Sequence, residues 1–408
     1  MAIFQTGPWT DGRRPGGIVR PVRRLLLLVC AITLVDTMLY AALVPLLPHY
    51  ADEFGLSKGQ AGLLVGAYAA GALLGALPGG IAASRFGPRR AVVTGLLLMA
   101  VASAVFGFAE DPWTLGLARL AQGIGSALSW AGALAWLVAG TPRSRRGEML
   151  GTAIGAAIFG ALLGPALGAL AEAAGARPVF LGVSGVSLVL VVWALHTAPV
   201  EADPQPARRI LTALRAPLML AALWLMVLPA LLFGVVAVLV PLELGDAGWS
   251  AAAIAAVFIA AAAVEMVVAP LLGRFSDRRG RLLPLRFALG ASVFVVTGLA
   301  LADRPVGLVP LVVCASIVFG AFWAPAMALL SDGAERIGLA QGFAFGLMNA
   351  AWGGGNAVGP SLGGALADVA GDALPYALMA LVCGLTFLTV SRGRRLFGTP
   401  LARVPENP

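Results

Sequence analysis

The chain has 408 residues, of which 59% are hydrophobic and only 12% charged, and its mean hydropathy is +0.90. Soluble domains carry about a quarter charged residues, so this balance excludes an ordinary soluble protein and indicates a polytopic membrane protein. The net charge of +8 does not indicate nucleic-acid binding, because the positive residues lie between apolar runs. The three cysteines lack the spacing of a metal or redox site, and we predict no cofactor or metal.

Apolar runs long enough to cross a bilayer recur along the whole chain. We predict twelve membrane-spanning helices, near residues 25–48, 59–83, 91–109, 113–140, 148–171, 178–196, 217–242, 250–272, 282–301, 306–330, 338–366 and 373–391. They form two groups of six, at 25–196 and 217–391, with an N-terminal arm at 1–24, a polar linker at 197–216 and a C-terminal tail at 392–408. The expected fold class is therefore an all-α membrane protein of two six-helix bundles.

Basic residues are distributed unevenly between alternate loops. If the N-terminus is cytoplasmic, 24 of the 28 basic residues fall in cytoplasmic segments, and the outer loops hold only Lys58, Arg177 and Arg304. This asymmetry follows the positive-inside rule and predicts that both termini are cytoplasmic. Arginine outnumbers lysine 27 to 1 and alanine is abundant, which suggests a GC-rich bacterial genome and hence the cytoplasmic (inner) membrane.

Two motifs occur once in each half. "GIAASRFGPRR" (80–90) corresponds to "GRFSDRRGR" (273–281) at an offset of 193, and "GTAIGAAIFGALLGPALGA" (151–169) corresponds to "GLMNAAWGGGNAVGPSLGG" (346–364) at an offset of 195. The second pair shares four glycines and a proline: Gly151, Gly160, Gly164, Pro165 and Gly168, matched by Gly346, Gly355, Gly359, Pro360 and Gly363. This duplication is typical of secondary transporters, whose substrate site lies between the halves. Close helix packing alone is the alternative explanation of the glycine spacing.

These motifs resemble those of the major facilitator superfamily along essentially the whole chain. The shared residues of the two loops are Gly273, Asp277, Arg278, Gly280 and Arg281 in the second half and Gly80, Arg85, Gly87, Arg89 and Arg90 in the first. The first loop departs at Ser84, where the family usually has an aspartate that latches the cytoplasmic side to helix 11. The resemblance therefore implies a pseudo-symmetric major-facilitator-type fold, a weaker latch in the first half and a larger share of gating for Asp277.

Further motifs resemble those of the drug:proton antiporter branch of that family, which includes the vesicular amine transporters. The glycine runs resemble its antiporter motif, "RLAQGIGSA" (119–127) resembles its helix 4 motif, and "LYAALVPLLP" (39–48) its helix 1 motif. An acidic position of the amine carriers corresponds to Asn349 here. The resemblance implies proton-coupled drug efflux without a strict specificity for amines.

Few polar side chains occur within the predicted spans, and most of them share helix faces. These faces are Thr33, Asp36, Thr37 and Tyr40 in span 1, Arg119, Gln122, Ser126 and Ser129 with Trp130 in span 4, and Asn349, Trp352 and Asn356 in span 11. Spans 1, 4, 7 and 10 line the cavity in the resembled family, so we expect the first two faces to line it here. Spans 7 and 10 add the aromatic residues Trp224, Phe233, Phe319, Phe322 and Trp323. Such a cavity suits bulky amphiphiles better than sugars.

Three ionisable residues are the candidates for proton coupling. Asp36 lies near the predicted mid-membrane, where a carboxylate that alternates between water and apolar protein can load and release a proton. A structural role, satisfied by Thr33, Tyr40 or an arginine, is the alternative. By the resemblance Arg119 inherits a role in proton transfer, and the alternative is an arginine held by backbone carbonyls. Glu265, in span 8, could bind a cationic substrate, carry a second proton or be structural.

The sequence thus predicts a proton-coupled exporter of hydrophobic or amphiphilic small molecules. An enzyme is not expected, because His49 and His196 lie near opposite membrane faces and no serine, histidine and acid converge. An importer or uniporter of a small nutrient on the same fold is one alternative, and a non-transporting membrane receptor is another. The expected partners are a small-molecule substrate, protons and the lipid bilayer, without nucleic acid, and we expect a monomer.

Overall fold

We describe residues 20–142, 145–200, 214–280, 282–338 and 341–392 of the protein from a computed structural model. The regular structure of these residues is helical throughout. It comprises fourteen α-helices: α1 (Arg20–Ala41), α2 (Leu47–Phe54), α3 (Lys58–Phe86), α4 (Pro88–Gly107), α5 (Pro112–Ala139), α6 (Arg146–Ala174), α7 (Ala176–Leu195), α8 (Pro217–Asp246), α9 (Ala251–Arg279), α10 (Leu282–Ala300), α11 (Pro305–Gly320), α12 (Trp323–Arg336), α13 (Gln341–Ala370) and α14 (Ala373–Arg392).

The helices make up twelve spans, because α1 continues through a short 3-10 turn into α2, and α11 continues into α12. Ten segments of the described residues are long and apolar enough to cross a membrane. The ten do not include α5 and α13, which carry two of the three polar faces found in the sequence. The prediction of an all-α membrane protein with twelve spans in two six-helix halves is confirmed.

Two spans are interrupted where a proline removes a backbone donor. Helix α1 ends at Ala41, and Pro45, four residues later, has no N–H to donate to the Ala41 carbonyl. The same spacing separates Ala321 from Pro325 at the break between α11 and α12. The first break lies beside the buried Arg119 and the second beside the half-buried Glu265, so these prolines help to shape the candidate site.

The repeated glycines pack helices together in the same way in both halves. A methyl group added to Gly164 would lie 2.5 Å from Cβ of Ala41, and one added to Gly359 would lie 2.5 Å from the carbonyl oxygen of Leu231 on α8. A side-chain carbon does not approach another carbon or an oxygen so closely, so the contacts of α6 with α1 and of α13 with α8 require bare backbone. The same two contacts include Gly160, Gly168, Gly355 and Gly363, and the prolines of the motif, Pro165 and Pro360, are buried.

The end of the molecule that holds Lys58, here named the sealed end, joins the two halves directly. The carboxylate of Asp368 on α13 accepts hydrogen bonds from the backbone N–H groups of Lys58 (2.9 Å) and Gly59 (2.8 Å) on α3. The Lys58 ammonium also forms a 2.6 Å ion pair with Asp372. Both carboxylates belong to the second half and both of their partners to the first, so the halves are held together here.

The opposite end, here named the motif end, holds the two repeated loops. A methyl group added to Gly80, Gly151, Gly273 or Gly346 would meet no atom within 4 Å among the described residues. The same glycine motif is thus tightly packed towards the sealed end and has free space around its first glycine at the motif end.

Within the loop motifs, two glycines have a clear backbone function. Gly87 has φ +92° and Gly280 has φ +79°, a region that other residues rarely adopt, and each makes the turn between two helices. The Ser84 hydroxyl donates to the carbonyl of Ile81 (3.0 Å) within its own helix, and Arg89 donates to the carbonyl of Leu195 at the end of α7 (3.4 Å). Arg85 and Arg90 are exposed. The side chains of Asp277, Arg278 and Arg281 lie outside the described residues.

Candidate functional site

Asp36 is enclosed by three helices of the first half. The residue is 3% exposed on α1. The Tyr68 hydroxyl of α3 donates to Oδ1 at 2.8 Å, and the Trp130 indole N–H of α5 donates to Oδ2 at 2.6 Å. Both oxygens of the carboxylate are therefore satisfied by neutral donors, and the side chain has a fixed orientation.

Arg119 is close to this carboxylate but is not paired with it. Among the described residues no ion pair joins the two, although Arg119 is only 1% exposed. Its guanidinium donates to the carbonyls of Leu39 (3.0 Å) and Tyr40 (2.9 Å). Because α1 ends at Ala41, its last carbonyls lack helical donors, and the arginine supplies them. The structure thus shows the contact with backbone carbonyls, and the role of Arg119 in proton transfer stays a prediction.

Tyr68 connects the carboxylate to the guanidinium, and sequence reasoning missed it. Its hydroxyl holds Asp36, and Cζ of Arg119 lies 4.7 Å from the centre of its ring. This distance is within the range of a cation–π contact. The available signal was one aromatic hydroxyl inside "LLVGAYAAGALLGA", in a chain with only four tyrosines.

Tyr40 extends the cluster into the second half. Its hydroxyl donates to Oδ1 of Asn356 on α13 at 2.9 Å, and its ring meets that of Trp352 edge-on at 5.0 Å. Asn356 is buried, whereas Asn349 and Trp352 on the same helix are half-buried. Since Arg119 also binds the Tyr40 carbonyl, one residue joins the charged group of the first half to a polar group of the second.

Several residues expected in the cavity contact helices of their own half instead. The Thr33 hydroxyl donates to the carbonyl of Ala153 on α6 (3.1 Å), and the Gln122 amide donates to the Ser103 hydroxyl on α4 (3.3 Å). Ser126, by contrast, is buried on α5 within hydrogen-bonding reach of Asp36 and Tyr68. Helical phase correctly grouped these residues, but neighbouring helices surround α1 and α5, so sharing a face with Asp36 or Arg119 does not place a residue in a cavity.

The aromatic residues of the second half divide in a similar way. Phe233 on α8 and Phe319 on α11 pack edge-to-face at 5.3 Å, and Trp323, at the start of α12, is half-buried. Trp224 turns away from them, because its indole N–H donates to the Thr386 hydroxyl on α14 at 3.1 Å. The aromatic surface beside the break between α11 and α12 is thus smaller than the sequence predicts.

Glu265 has surroundings unlike those of Asp36. It is half-buried on α9, and a methyl group added to Gly320 would lie 2.6 Å from its Oε1. Among the described residues, no hydrogen-bond donor or basic side chain partners its carboxylate. The two acids of the site therefore differ: one is enclosed and satisfied, and the other is unpartnered.

Residues 29–344, well over half of the sequence, match the Major Facilitator Superfamily. The chain belongs to this superfamily. Two solved structures in this fold have TM-scores of 0.74 and 0.69: a bacterial homologue of the human lysosomal transporter Spinster, inward-facing and unoccupied, and a D-xylose–proton symporter. The Spinster homologue matches 93% of this superfamily member and 98% of its own chain, at 15% identity. The D-xylose–proton symporter matches 90% of this superfamily member and 97% of its own chain, at 16% identity. They therefore show the fold alone.

Relatives of this superfamily member are named for a neurotransmitter or for drug resistance. It is 33% identical over 190 residues to the probable vesicular acetylcholine transporter-B of Danio rerio, a match that spans 43% of the chain and 38% of the fish protein. It is 28% identical over 305 residues to a chloramphenicol resistance protein of Streptomyces lividans, covering 72% and 76% of the two chains. It is also 28% identical over 285 residues to the multidrug resistance protein MdtG of Serratia proteamaculans, covering 65% and 69%.

Proposed function

We propose that the protein is a proton-coupled exporter of hydrophobic or amphiphilic small molecules that works by alternating access of its two halves. The observation that carries the proposal is the buried carboxylate of Asp36, held by Tyr68 and Trp130 and connected through Tyr68 to Arg119. Relatives named for chloramphenicol and multidrug resistance support the direction and the substrate class.

Protonation of Asp36 would change its hydrogen bonds in a defined way. The ionised carboxylate accepts from both Tyr68 and Trp130, but a neutral carboxyl group must donate through one oxygen. The Trp130 N–H can only donate, so it keeps its acceptor at Oδ2. The Tyr68 hydroxyl can rotate and accept from a proton on Oδ1. Tyr68 is therefore the side chain that reports the protonation of Asp36 to its surroundings.

From Tyr68 the change would reach the interface between the halves. The ring of Tyr68 lies under the guanidinium of Arg119, which binds the carbonyl of Tyr40. The hydroxyl of Tyr40 then contacts Asn356 of the second half. A change in the Tyr68 hydroxyl thus acts on a connected set of groups that ends across the interface, as coupling between proton binding and bundle movement requires.

The membrane orientation is also a proposal. The positive-inside asymmetry supports a cytoplasmic motif end, with both termini on that side, in the inner membrane of a bacterium. The sealed end then faces outward, and the structure corresponds to an inward-facing state. In this orientation the loops at 80–90 and 273–281 would gate the cytoplasmic side, and the protein would act as a monomer.

The test is transport of chloramphenicol by purified protein in liposomes under an imposed pH gradient. Asp36→Asn imitates the neutral carboxyl group, so we expect gradient-driven transport to fall by about tenfold or more while the protein still folds. The exposed Glu110→Gln is the matched control for loss of one acid and should transport like the wild type. Full gradient-driven transport by Asp36→Asn, with normal size-exclusion behaviour, would contradict the proposal.

The same liposomes separate export from the alternatives. Antiport and symport move protons in opposite directions when chloramphenicol is added, so the sign of the pH change inside the vesicles decides between an exporter and a proton-coupled importer. A uniporter would transport without any proton movement. A non-transporting receptor would bind the compound without transporting it.

A further inference from the structure

We propose that the groove between α4 and α7 near the sealed end binds one acyl chain of an anionic phospholipid, with Arg177 holding the phosphate of its headgroup. This inference goes beyond the proposed function, because it concerns a lipid that stays bound to the first half and is not transported. It does not depend on that function.

The groove is long enough for an acyl chain and opens towards the membrane. Its volume is about 430 Å³, and it runs along α4 from Ala100 to Phe108, beside Leu188 of α7. Eight residues of helix span about 12 Å, most of the roughly 15 Å of hydrocarbon in one leaflet. The exposed side chains of Val101 and Val105 line it on the membrane-facing side of α4.

The interior of the groove is apolar, because its two hydroxyl groups already donate elsewhere. The Ser184 hydroxyl donates to the carbonyl of Ala100 (2.8 Å), and the Thr114 hydroxyl donates to the carboxylate of Asp111 (2.6 Å). The other lining residues are alanine, valine, leucine and phenylalanine. A hydrocarbon chain suits this surface, whereas a polar ligand would lose hydrogen bonds to water without replacing them.

Arg177 places a positive charge at the mouth of the groove. Its backbone packs on the last turn of α4, since a methyl group added to Gly107 would lie 3.3 Å from the Arg177 carbonyl oxygen. Its side chain extends over Phe108, and Cζ lies 4.2 Å from the centre of that ring, in the range of a cation–π contact. Phe108 also lines the groove, so the cation and the apolar surface share one side chain.

The guanidinium of Arg177 is available for an anion. It is exposed, and no ion pair joins it to a carboxylate in the part of the chain that the structure describes. Lys58, at the same end of the molecule, is paired with Asp372. The carboxylate of Asp111 caps the first turn of α5. Because a guanidinium binds phosphate through two parallel N–H donors, Arg177 suits a phosphodiester headgroup.

Trp113 indicates that this level is the membrane–water interface. It is 81% exposed in the first turn of α5, next to Thr114 of the groove. Tryptophan is enriched where headgroups meet hydrocarbon, which is the depth of a lipid phosphate. A free phosphate would bind the arginine and leave the groove empty, so the geometry assigns both features to one phospholipid.

The test is native mass spectrometry of purified, delipidated protein with dioleoylphosphatidylglycerol or dioleoylphosphatidylcholine, which share their chains and differ in net charge. We expect the wild type to bind one phosphatidylglycerol about tenfold more tightly, because the choline headgroup carries its own cation. Arg177→Gln should abolish this preference, and Arg177→Lys, which keeps the charge, should retain part of it. Ala104→Phe places a ring in the groove and should weaken binding of both lipids. Glycerol 3-phosphate, which lacks the chains, should not compete.

The matched control is Arg304→Gln, which removes an exposed arginine at the same end of the molecule, before α11 and away from the groove. It should bind phosphatidylglycerol like the wild type. Equal binding of the two lipids by the wild type, an unchanged preference in Arg177→Gln or an equal loss in Arg304→Gln would overturn the inference. So would unchanged binding by Ala104→Phe, or competition by glycerol 3-phosphate, which would assign Arg177 to a free phosphate.

Discussion

The two halves of the protein share their packing and differ in their polar groups. Gly164 and Gly359 allow close packing of α6 on α1 and of α13 on α8. Ser57 caps the first turn of α3, as Ser250 caps that of α9. Arg89 binds a terminal carbonyl of α7, and Arg286 binds one of α14. Left-handed turn glycines also occur in three matching pairs: Gly55 with Gly248, Gly87 with Gly280, and Gly175 with Gly371. The duplicated sequence has thus kept the features that set backbone geometry.

The buried charges have no such correspondence. The first half holds Asp36 and Arg119 in a network in which both oxygens of the acid are occupied. The second half holds a single acid at the α9–α11 contact, Glu265, without a described partner. The two halves therefore share a backbone arrangement but surround their buried acids differently.

The largest expected effect concerns the close glycine packing that both halves share. Leucine at Gly164 or Gly359 would force α6 from α1 or α13 from α8, so we expect either variant to yield no monodisperse peak in size-exclusion chromatography. The matched controls are leucine at Gly151 and Gly346, the first glycines of the same motifs, which have free space in this state. These variants should remain folded. If all four variants behave alike, then close packing does not explain the motif.

A smaller effect concerns the two buried acids, which are hydrogen-bonded differently in the two halves. Asp36→Ala leaves the Tyr68 hydroxyl and the Trp130 N–H without their acceptor, so we expect the free energy of unfolding to fall by about 1–3 kcal/mol. Glu265→Ala removes no hydrogen bond and should change that free energy by less than about 1 kcal/mol. The measurement is thermal unfolding in detergent, followed by tryptophan fluorescence. Equal losses in the two variants would show that Glu265 is held as firmly as Asp36.

The smallest expected effect concerns the arginines at the C-termini of α7 and α14, a feature that both halves share. Arg89 and Arg286 place positive charge on the last carbonyls of α7 and α14, at 3.4 Å and 3.2 Å. Replacing either by glutamine should lower the free energy of unfolding by about 0.3–1 kcal/mol, because the interaction with a helix C-terminus is lost. Similar losses in the same unfolding measurement would support equivalence, whereas a loss confined to Arg286 would indicate that Arg89 acts mainly in gating.

The sequence by itself determined the class of the protein, the twelve spans and the duplicated halves. These features follow from hydropathy and from repeated spacing, which are properties of short segments. It also gave the correct helix faces for the polar residues.

Only the tertiary structure decided which neighbour each face meets. Thr33 and Gln122 share faces with Asp36 and Arg119 but bind α6 and α4, and Tyr68, from a span with no other aromatic hydroxyl, completes the acid's network. The contact of Arg119 with the carbonyls of Leu39 and Tyr40 was also tertiary, because it depends on α1 ending beside α5. Helical phase is local, whereas partners come from packing between segments that are distant in sequence, and no single segment specifies them.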